Sequence, residues 1–399
     1  MAIKRDDIPK KRAAVIRISS VLLSLLFAGV VLLFFDLNPF VVFGTIIEGS
    51  VGSAARIQQT IVKAVPLTVA SLGVLVAFKM KFWNIGGEGQ IVMGALAASF
   101  VALNFGDVPR PILLPLMAIA AVAGGGVWAL IPAAFKAKMG TNEVIFTLMM
   151  NYIAIKFVTY LQYGPWRDPA SKGFPKIPNF SDNGLLPSLF GIHIGWIFAL
   201  ILVVLVYLFI NYTKKGYEIA VVGASIDTAK YAGINIPSVI MIAMFVSGGL
   251  CGLVGMIQAS AIEKTLVYGI SANYGFTAII TTWLARLNAV AVLFVCVAFA
   301  MLLQGAAFIQ LAMNVPAAVA GVVQGVLLFF VLGSEFFLRY RIRFTGRGSL
   351  AAKARGARKN PSADGQRGGE VYETGKIDGE SSADERTCGE TSADGEEAR

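Results

Sequence analysis

The chain has 399 residues, of which 56% are hydrophobic and 15% charged, with a mean hydropathy of +0.70 and a net charge of +10. Soluble domains carry about 25% charged residues, so this composition excludes an ordinary water-soluble fold. The basic residues lie between apolar runs and at the chain ends rather than in one patch, so their distribution reads as bilayer orientation and not as a nucleic-acid surface.

Met1 to Arg17 is polar and holds six basic residues, and Ile18 to Phe35 is the first apolar run. Its core is longer than a secretory signal's and has no small-residue cleavage site, so an uncleaved first helix is expected. Asp36 to Thr60 is mixed and reads as interfacial. Further runs of the length needed to cross about 30 Å of hydrocarbon follow at Ile61–Phe78, Glu88–Leu103, Pro111–Phe135 and Glu143–Leu161. A polar connection, Gln162 to His193, precedes a sixth span at Ile194–Ile210. A second polar insert, Asn211 to Pro237, leads to a seventh at Ser238–Ala259 and a short eighth at Tyr274–Leu284, and Asn288–Leu311 and Pro316–Leu338 complete ten. The expected fold is an all-α polytopic membrane protein of about ten transmembrane helices. Residues 1–17 form a cytoplasmic segment, 18–343 the membrane domain and 344–399 a tail too poor in apolar residues to fold.

With the N-terminus inside, the inner segments hold 22 Lys and Arg and the outer connections six. That asymmetry puts both termini in the cytoplasm of a plasma-membrane protein. The three cysteines and single histidine offer no disulfide framework and no metal spacing. No G-x-x-x-x-G-K-[ST] loop, G-x-S-x-G elbow or H-E-x-x-H helix occurs. Neither a bound cofactor nor a membrane-embedded transferase is therefore expected.

Polar residues inside apolar runs are the candidates for function. FWNIGGEGQIVMGA, Phe82 to Ala95, sets Asn84, Glu88 and Gln90 at the mouth of a helix. It reads either as an interrupted helix facing a water-filled route, or as a turn whose carboxylate caps the helix that follows. Asn142 and Glu143 read as a helix cap. Asn151 lies deeper in the same span, and Lys156 has a stem long enough to reach the outer head groups. Ser271 to Thr282, SANYGFTAIITT, repeats the pattern of an Asn, a glycine and a short apolar helix, with Asn273, Tyr274 and Thr281 as its polar members. An odd number of spans separates the two stretches. Spans 2–5 and 7–10 then form an inverted repeat, which commonly frames a midplane pathway. On that reading Asn273 and Tyr274 guard the outer mouth and Asn84 to Gln90 the inner one. Gly248, Gly249, Gly252, Gly255, Gly321 and Gly325 mark close helix contacts.

Residues 211–237 form a cytoplasmic segment in which GYEIAVVGASIDTAKYAGINIP contains one short helix, Ser225 to Ala232. It is capped by Ser225 or Asp227 and stopped by Gly233. Tyr217, Asp227, Lys230 and Tyr231 suit a docking element, the alternative being a plain connector.

The run from GSVGSAARIQQTIVKAVPLTVASLGVLVAFKMKFWNIGGEGQ to GALAAS resembles the permease subunits of ABC importers of the ribose/branched-chain amino acid family. The NIG-x-EGQ form is most similar to the subgroup importing nucleosides or simple sugars. The resemblance covers roughly Val41 to Arg343. It implies a cytoplasmic ATPase subunit, a second permease chain (a copy or a relative) and an extracytoplasmic solute-binding lipoprotein. It also implies that Asn84, Gly86, Glu88, Gly89 and Gln90 belong to the first motif and Gly223, Ala229, Gly233 and Ile234 to the segment that meets the ATPase. Where the family shows glycine-tyrosine-glutamate, this chain has Asn273-Tyr274-Gly275-Phe276 and lacks the acid. The alternative to an ATP-driven importer is an ion-coupled secondary transporter, for which Glu88 is the one plausible membrane-embedded acid.

Overall fold

In the computed structural model, the described residues are 2–4, 10–34 and 36–314, with short pieces at 321–322, 325–326, 329 and 340–342. The tenth span therefore falls almost wholly outside the described residues, as do 344–399. The membrane domain is helical. α1 (Lys10–Leu33) is followed by a short apolar helix α2 (Pro39–Val51) and by α3 (Ala54–Lys79). The interfacial stretch expected over 36–60 is thus mostly helix. Asn38 caps α2 through the Phe40 N–H, Pro39 occupies its first turn, and Ser53 caps α3 through the Arg56 N–H.

α4 (Gly87–Asn104), α5 (Arg110–Met139) and α6 (Glu143–Tyr163) follow, then a small hairpin of β1 (Ser188–Leu189) and β2 (Ile192–His193) and α7 (Gly195–Tyr212). Gly140, at φ 65°, ends α5 in the left-handed conformation. Asn142 accepts the Val144 and Ile145 N–H groups and starts α6, so the capping expected there is what occurs. The insert after α7 holds two helices where one is expected from the sequence: α8 (Lys214–Ala224), capped by Thr213, and α9 (Ile226–Tyr231), capped by Ser225. α10 (Ile236–Ile257) runs on through a π-helical turn to Glu263, and α11 (Tyr274–Leu284) and α12 (Ala289–Met313) complete the described helices.

Among the described residues, six helices are long and apolar enough to cross a membrane: α3, α5, α6, α7, α10 with its π turn, and α12. α11, at 11 residues, is about 16 Å long and covers roughly half of the hydrocarbon layer. α3 is the hub. Of its apolar window 83% is buried, against 22% for α7, whose outer face is left to lipid. α4, α5 and α10 pack at backbone distance. A Cβ at Gly252 would run into the Ala121 carbonyl oxygen, and one at Gly255 into that of Ile91, as expected for small-residue helix contacts. Gly321 and Gly325 fall in a stretch most of which lies outside the described residues.

The long connection between α6 and α7 is ordered against the loop between α10 and α11. Gln162 donates to the Pro175 carbonyl (3.0 Å) and accepts the Tyr268 N–H (3.0 Å), while Thr265 donates to the Ile177 carbonyl (3.0 Å). These bonds satisfy backbone that would otherwise be buried without partners.

Candidate functional site

The two polar stretches expected at opposite mouths meet in one place. Glu88, 3% exposed in the first turn of α4, accepts the Asn273 N–H with Oε1 (3.1 Å) and the Gly275 N–H with Oε2 (2.8 Å). It therefore caps α11, a helix distant in the chain, and not the helix it belongs to. The arrangement places a carboxylate against the positive end of a helix dipole and satisfies N–H groups with no partner inside the helix. Ala272 and Asn273 both hold positive φ (45° and 60°) just before α11, a conformation that costs free energy in residues with a Cβ. Gly275 permits the approach, because a Cβ there would collide with the Glu88 backbone nitrogen. The inner and outer mouth assignments are thereby corrected: both stretches line the same junction.

Around it the amides close on each other. Asn84 is fully buried; its Nδ2 donates to Gln90 Oε1 (3.1 Å) and to Ser247 Oγ on α10 (3.0 Å), and its Oδ1 accepts from Gln90 Nε2 (3.0 Å) and from the Gly86 N–H (3.0 Å). Asn151 of α6 accepts the Gly89 N–H (2.8 Å) and donates to the Ile85 carbonyl (2.9 Å), so it ties the turn before α4 to α6. Such a network rigidifies a low-dielectric site because each member's partner would be costly to leave unpaired.

Beyond it, α11 packs along α3. Thr281 and Ser71 share a hydrogen bond of 2.6 Å, and Thr282 donates to the Ser71 carbonyl (2.9 Å). Trp283 stacks on Trp83 with centroids 5.5 Å apart and tilts against Phe78 at 5.8 Å. α11 therefore starts at Glu88 and runs back toward the end of α3. Of the seven pathway candidates, Asn84, Glu88, Gln90, Asn151, Tyr274 and Thr281 are buried and Asn273 alone is exposed. Ser71, Ser247 and Gly275 are members that the sequence does not announce. A lone serine in an apolar span carries no pattern, and the only signal for Ser71 is its breach of the apolar run.

The second cluster is α8 and α9. A Cβ at Gly223 would overlap the Lys79 carbonyl oxygen, so α8 lies directly on the end of α3. Ala229 is fully buried, and the Ile234 N–H bonds its carbonyl (3.0 Å) to close the turn at Gly233, φ 70°. The outer face holds Tyr231 at 93% exposure, Tyr217, Ile226, and the loose Asp227–Lys230 pair at 4.0 Å. The seven candidates of this segment thus divide. Gly223, Ala229, Gly233 and Ile234 build the fold of the arm, whereas Asp227, Lys230 and Tyr231 are presented outward. The described residues contain no group of three His, Cys, Asp or Glu able to hold a metal ion.

The profile of the branched-chain amino acid transport system / permease component family matches residues 56–332. The glucose ABC transporter permease protein TsgB13 of Haloferax volcanii is 33% identical over 362 residues, covering 87% of this chain and 95% of that protein. The guanosine ABC transporter permease protein NupP of Bacillus subtilis is 33% identical over 308 residues, 74% and 85% of the two chains. The nucleoside ABC transporter permease protein NupB of Lactococcus lactis is 28% identical over 333 residues, 81% and 91%. The polytopic apolar architecture and these matches lead to one statement: this chain belongs to the family of branched-chain amino acid transport system permease components and is a membrane permease subunit of an ABC transporter.

Proposed function

We propose that the chain carries a nucleoside or simple sugar into the cell, powered by a separate ATPase subunit. It would work beside a second permease chain and receive solute from an extracytoplasmic binding protein. The observation that carries this reading is the arm formed by α8 and α9. It is seated on the end of the hub helix α3 through Gly223 and displays Tyr231, Ile226 and Tyr217 to solvent. Exposed aromatic residues beside a charged rim are what a protein partner anchors on. Both termini and this arm would face the cytoplasm. Motion of the ATPase, passed from α9 through α8 to α3, would reach the junction where Glu88 holds α11.

In this reading spans 2–5 and 7–10 are inverted copies. The first contributes Asn84, Glu88, Gln90 and Asn151 and the second Asn273, Tyr274 and Thr281 to the frame of the route. The buried members set the backbone around the route, and Asn273 offers its amide to the solute. Relatives named for glucose, guanosine and nucleosides support the solute class.

Cysteine at position 231 tests the arm in cells that express the complete transporter. It should cross-link to the ATPase subunit and react with thiol reagents only from the cytoplasmic side. Labelling from the outside would overturn the proposed orientation and the coupling role together.

A further inference from the structure

α6 packs against α4 and α5 and leaves one broad face uncovered. At 100° per residue, Tyr152, Lys156, Tyr160 and Tyr163 fall within one sector of about 80° on that face. All four are exposed, the tyrosines at 58–63%. Toward the helix start the same sector continues as Met149 and Ile145, and Ile153 and Phe157 border it about 20° and 60° beyond Tyr160. Among the described residues no side chain pairs with Lys156.

Lipid is a poor occupant of the deeper half of this row, Tyr152 and Lys156. α7 shows what a lipid face of this molecule looks like: Phe198, Ile201, Val204, Leu205 and Leu208, all exposed and all hydrocarbon. Interfacial tyrosines belong at the two boundaries of the bilayer. Tyr152, however, lies 11 residues from the end of α6 at Tyr163, about 16 Å in and near mid-depth. Lys156 lies seven residues from that end, about 10 Å, and side chains on a helix lean toward its N-terminus. Snorkelling of the Lys156 ammonium to the nearer head groups would have to run against that lean. Asn151, the neighbour of Tyr152, binds the Gly89 N–H at the junction, so the row begins beside the candidate site.

We infer that Tyr152, Lys156, Tyr160 and Tyr163 form a water-facing wall of the solute route and select neutral, hydroxyl- or carbonyl-bearing ring solutes. This rests on the import reading above. Phenol rings offer flat faces to a sugar or base, their hydroxyls donate and accept, and the ammonium donates to a ring carbonyl or hydroxyl while repelling cations. Tyr163 and Tyr160 stand at the outer end and meet the solute first, and Met149 and Ile145 close the row with hydrocarbon.

The test has two arms. In the full chain with Cys388→Ser, retaining the buried Cys251 and Cys296, single cysteines are placed at 152, 156 and 160 and, as controls on the apolar face of α7, at 198, 204 and 208. A water-borne, membrane-impermeant methanethiosulfonate should label the first three at least about tenfold faster, because thiols react as thiolates, which need water. Equal, slow labelling at all six would overturn the inference whatever the chain carries. In the complete transporter, Lys156→Met should raise KM for labelled guanosine or glucose about tenfold, the worth of one charged hydrogen bond. Lys156→Arg should restore it at an equal membrane level. An unchanged KM in Lys156→Met would refute solute contact. Uptake of neither probe by the native transporter would refute the proposed solute class, and the labelling rates alone would then decide whether the row faces water.

Discussion

Replacing Glu88 with glutamine isolates the contact on which the junction depends. Both carboxylate oxygens accept N–H groups from the start of α11, at 3.1 and 2.8 Å, in a site 3% exposed. An amide keeps one acceptor and turns its other end, itself a donor, toward a donor. One buried N–H is then left unpaired, at about 1–3 kcal/mol. Loss of the charge beside the helix terminus adds up to about 2 kcal/mol. The sum, roughly 1–5 kcal/mol, should appear as a lower unfolding midpoint in detergent and as faster hydrogen exchange at residues 272–277. Glu143→Gln is the matched control. Glu143 pairs with Lys136 at 2.8 Å near the surface, where such a pair is worth about 0–1 kcal/mol. Uptake by the complete transporter should follow the same order, with Glu88→Gln impaired and Glu143→Gln near normal. Equal effects of the two substitutions on both readouts would refute the claim that Glu88 holds α11 in place.

Other expectations follow from the same contacts. Gly223→Val should force α8 off the end of α3, cost about 1–3 kcal/mol as overpacking does, and separate ATP hydrolysis from uptake; coupled transport at native efficiency would contradict the contact. Tyr231→Ala, at a residue 93% exposed, should leave the unfolding free energy within about 0.5 kcal/mol of native. It should weaken binding of the ATPase subunit about tenfold or more, as loss of an anchoring tyrosine does, and titration of the purified subunits reads this out. His193 is buried where the β1–β2 hairpin meets α3, and burial pushes its imidazole below the ordinary value of 6.5. The undocked hairpin binds a proton more readily, so docking should be complete above about pH 6.5 and weaken as pH falls below it. Hydrogen exchange at 188–193, corrected for intrinsic rates, should show more opening at pH 5.5 than at pH 7.5, and His193→Gln should remove the difference. An opening independent of pH in the native protein would contradict this.

The spans are legible in the sequence because they are long and apolar. Glu88–Leu103 and Tyr274–Leu284 match α4 and α11 within a residue or two, and Asn142, Ser225 and Gly233 announce their helix ends through capping chemistry. α8 is not legible, because Lys214 to Ala224 mixes glycine, charge and apolar residues without a run long enough to announce a helix. Its order comes from packing on α3, far earlier in the chain. The joining of Glu88 to Asn273 and Gly275 is hidden for the same reason. Sequence spacing shows where a carboxylate sits, and only the fold shows which helix end it meets. Lys156 reads as an anchor to the head groups because its length permits that, whereas the tyrosines lined up with it become one row only on a helix whose other face is buried.

The central claim is that this permease moves solute only with an ATPase subunit docked on α8 and α9. Proteoliposomes containing this chain alone, and others containing the complete transporter, should be compared for uptake of labelled guanosine and glucose under an imposed proton or sodium gradient and with ATP. The account predicts no accumulation by the chain alone under either gradient and ATP-dependent accumulation by the complete transporter. Gradient-driven accumulation by the isolated chain would contradict it.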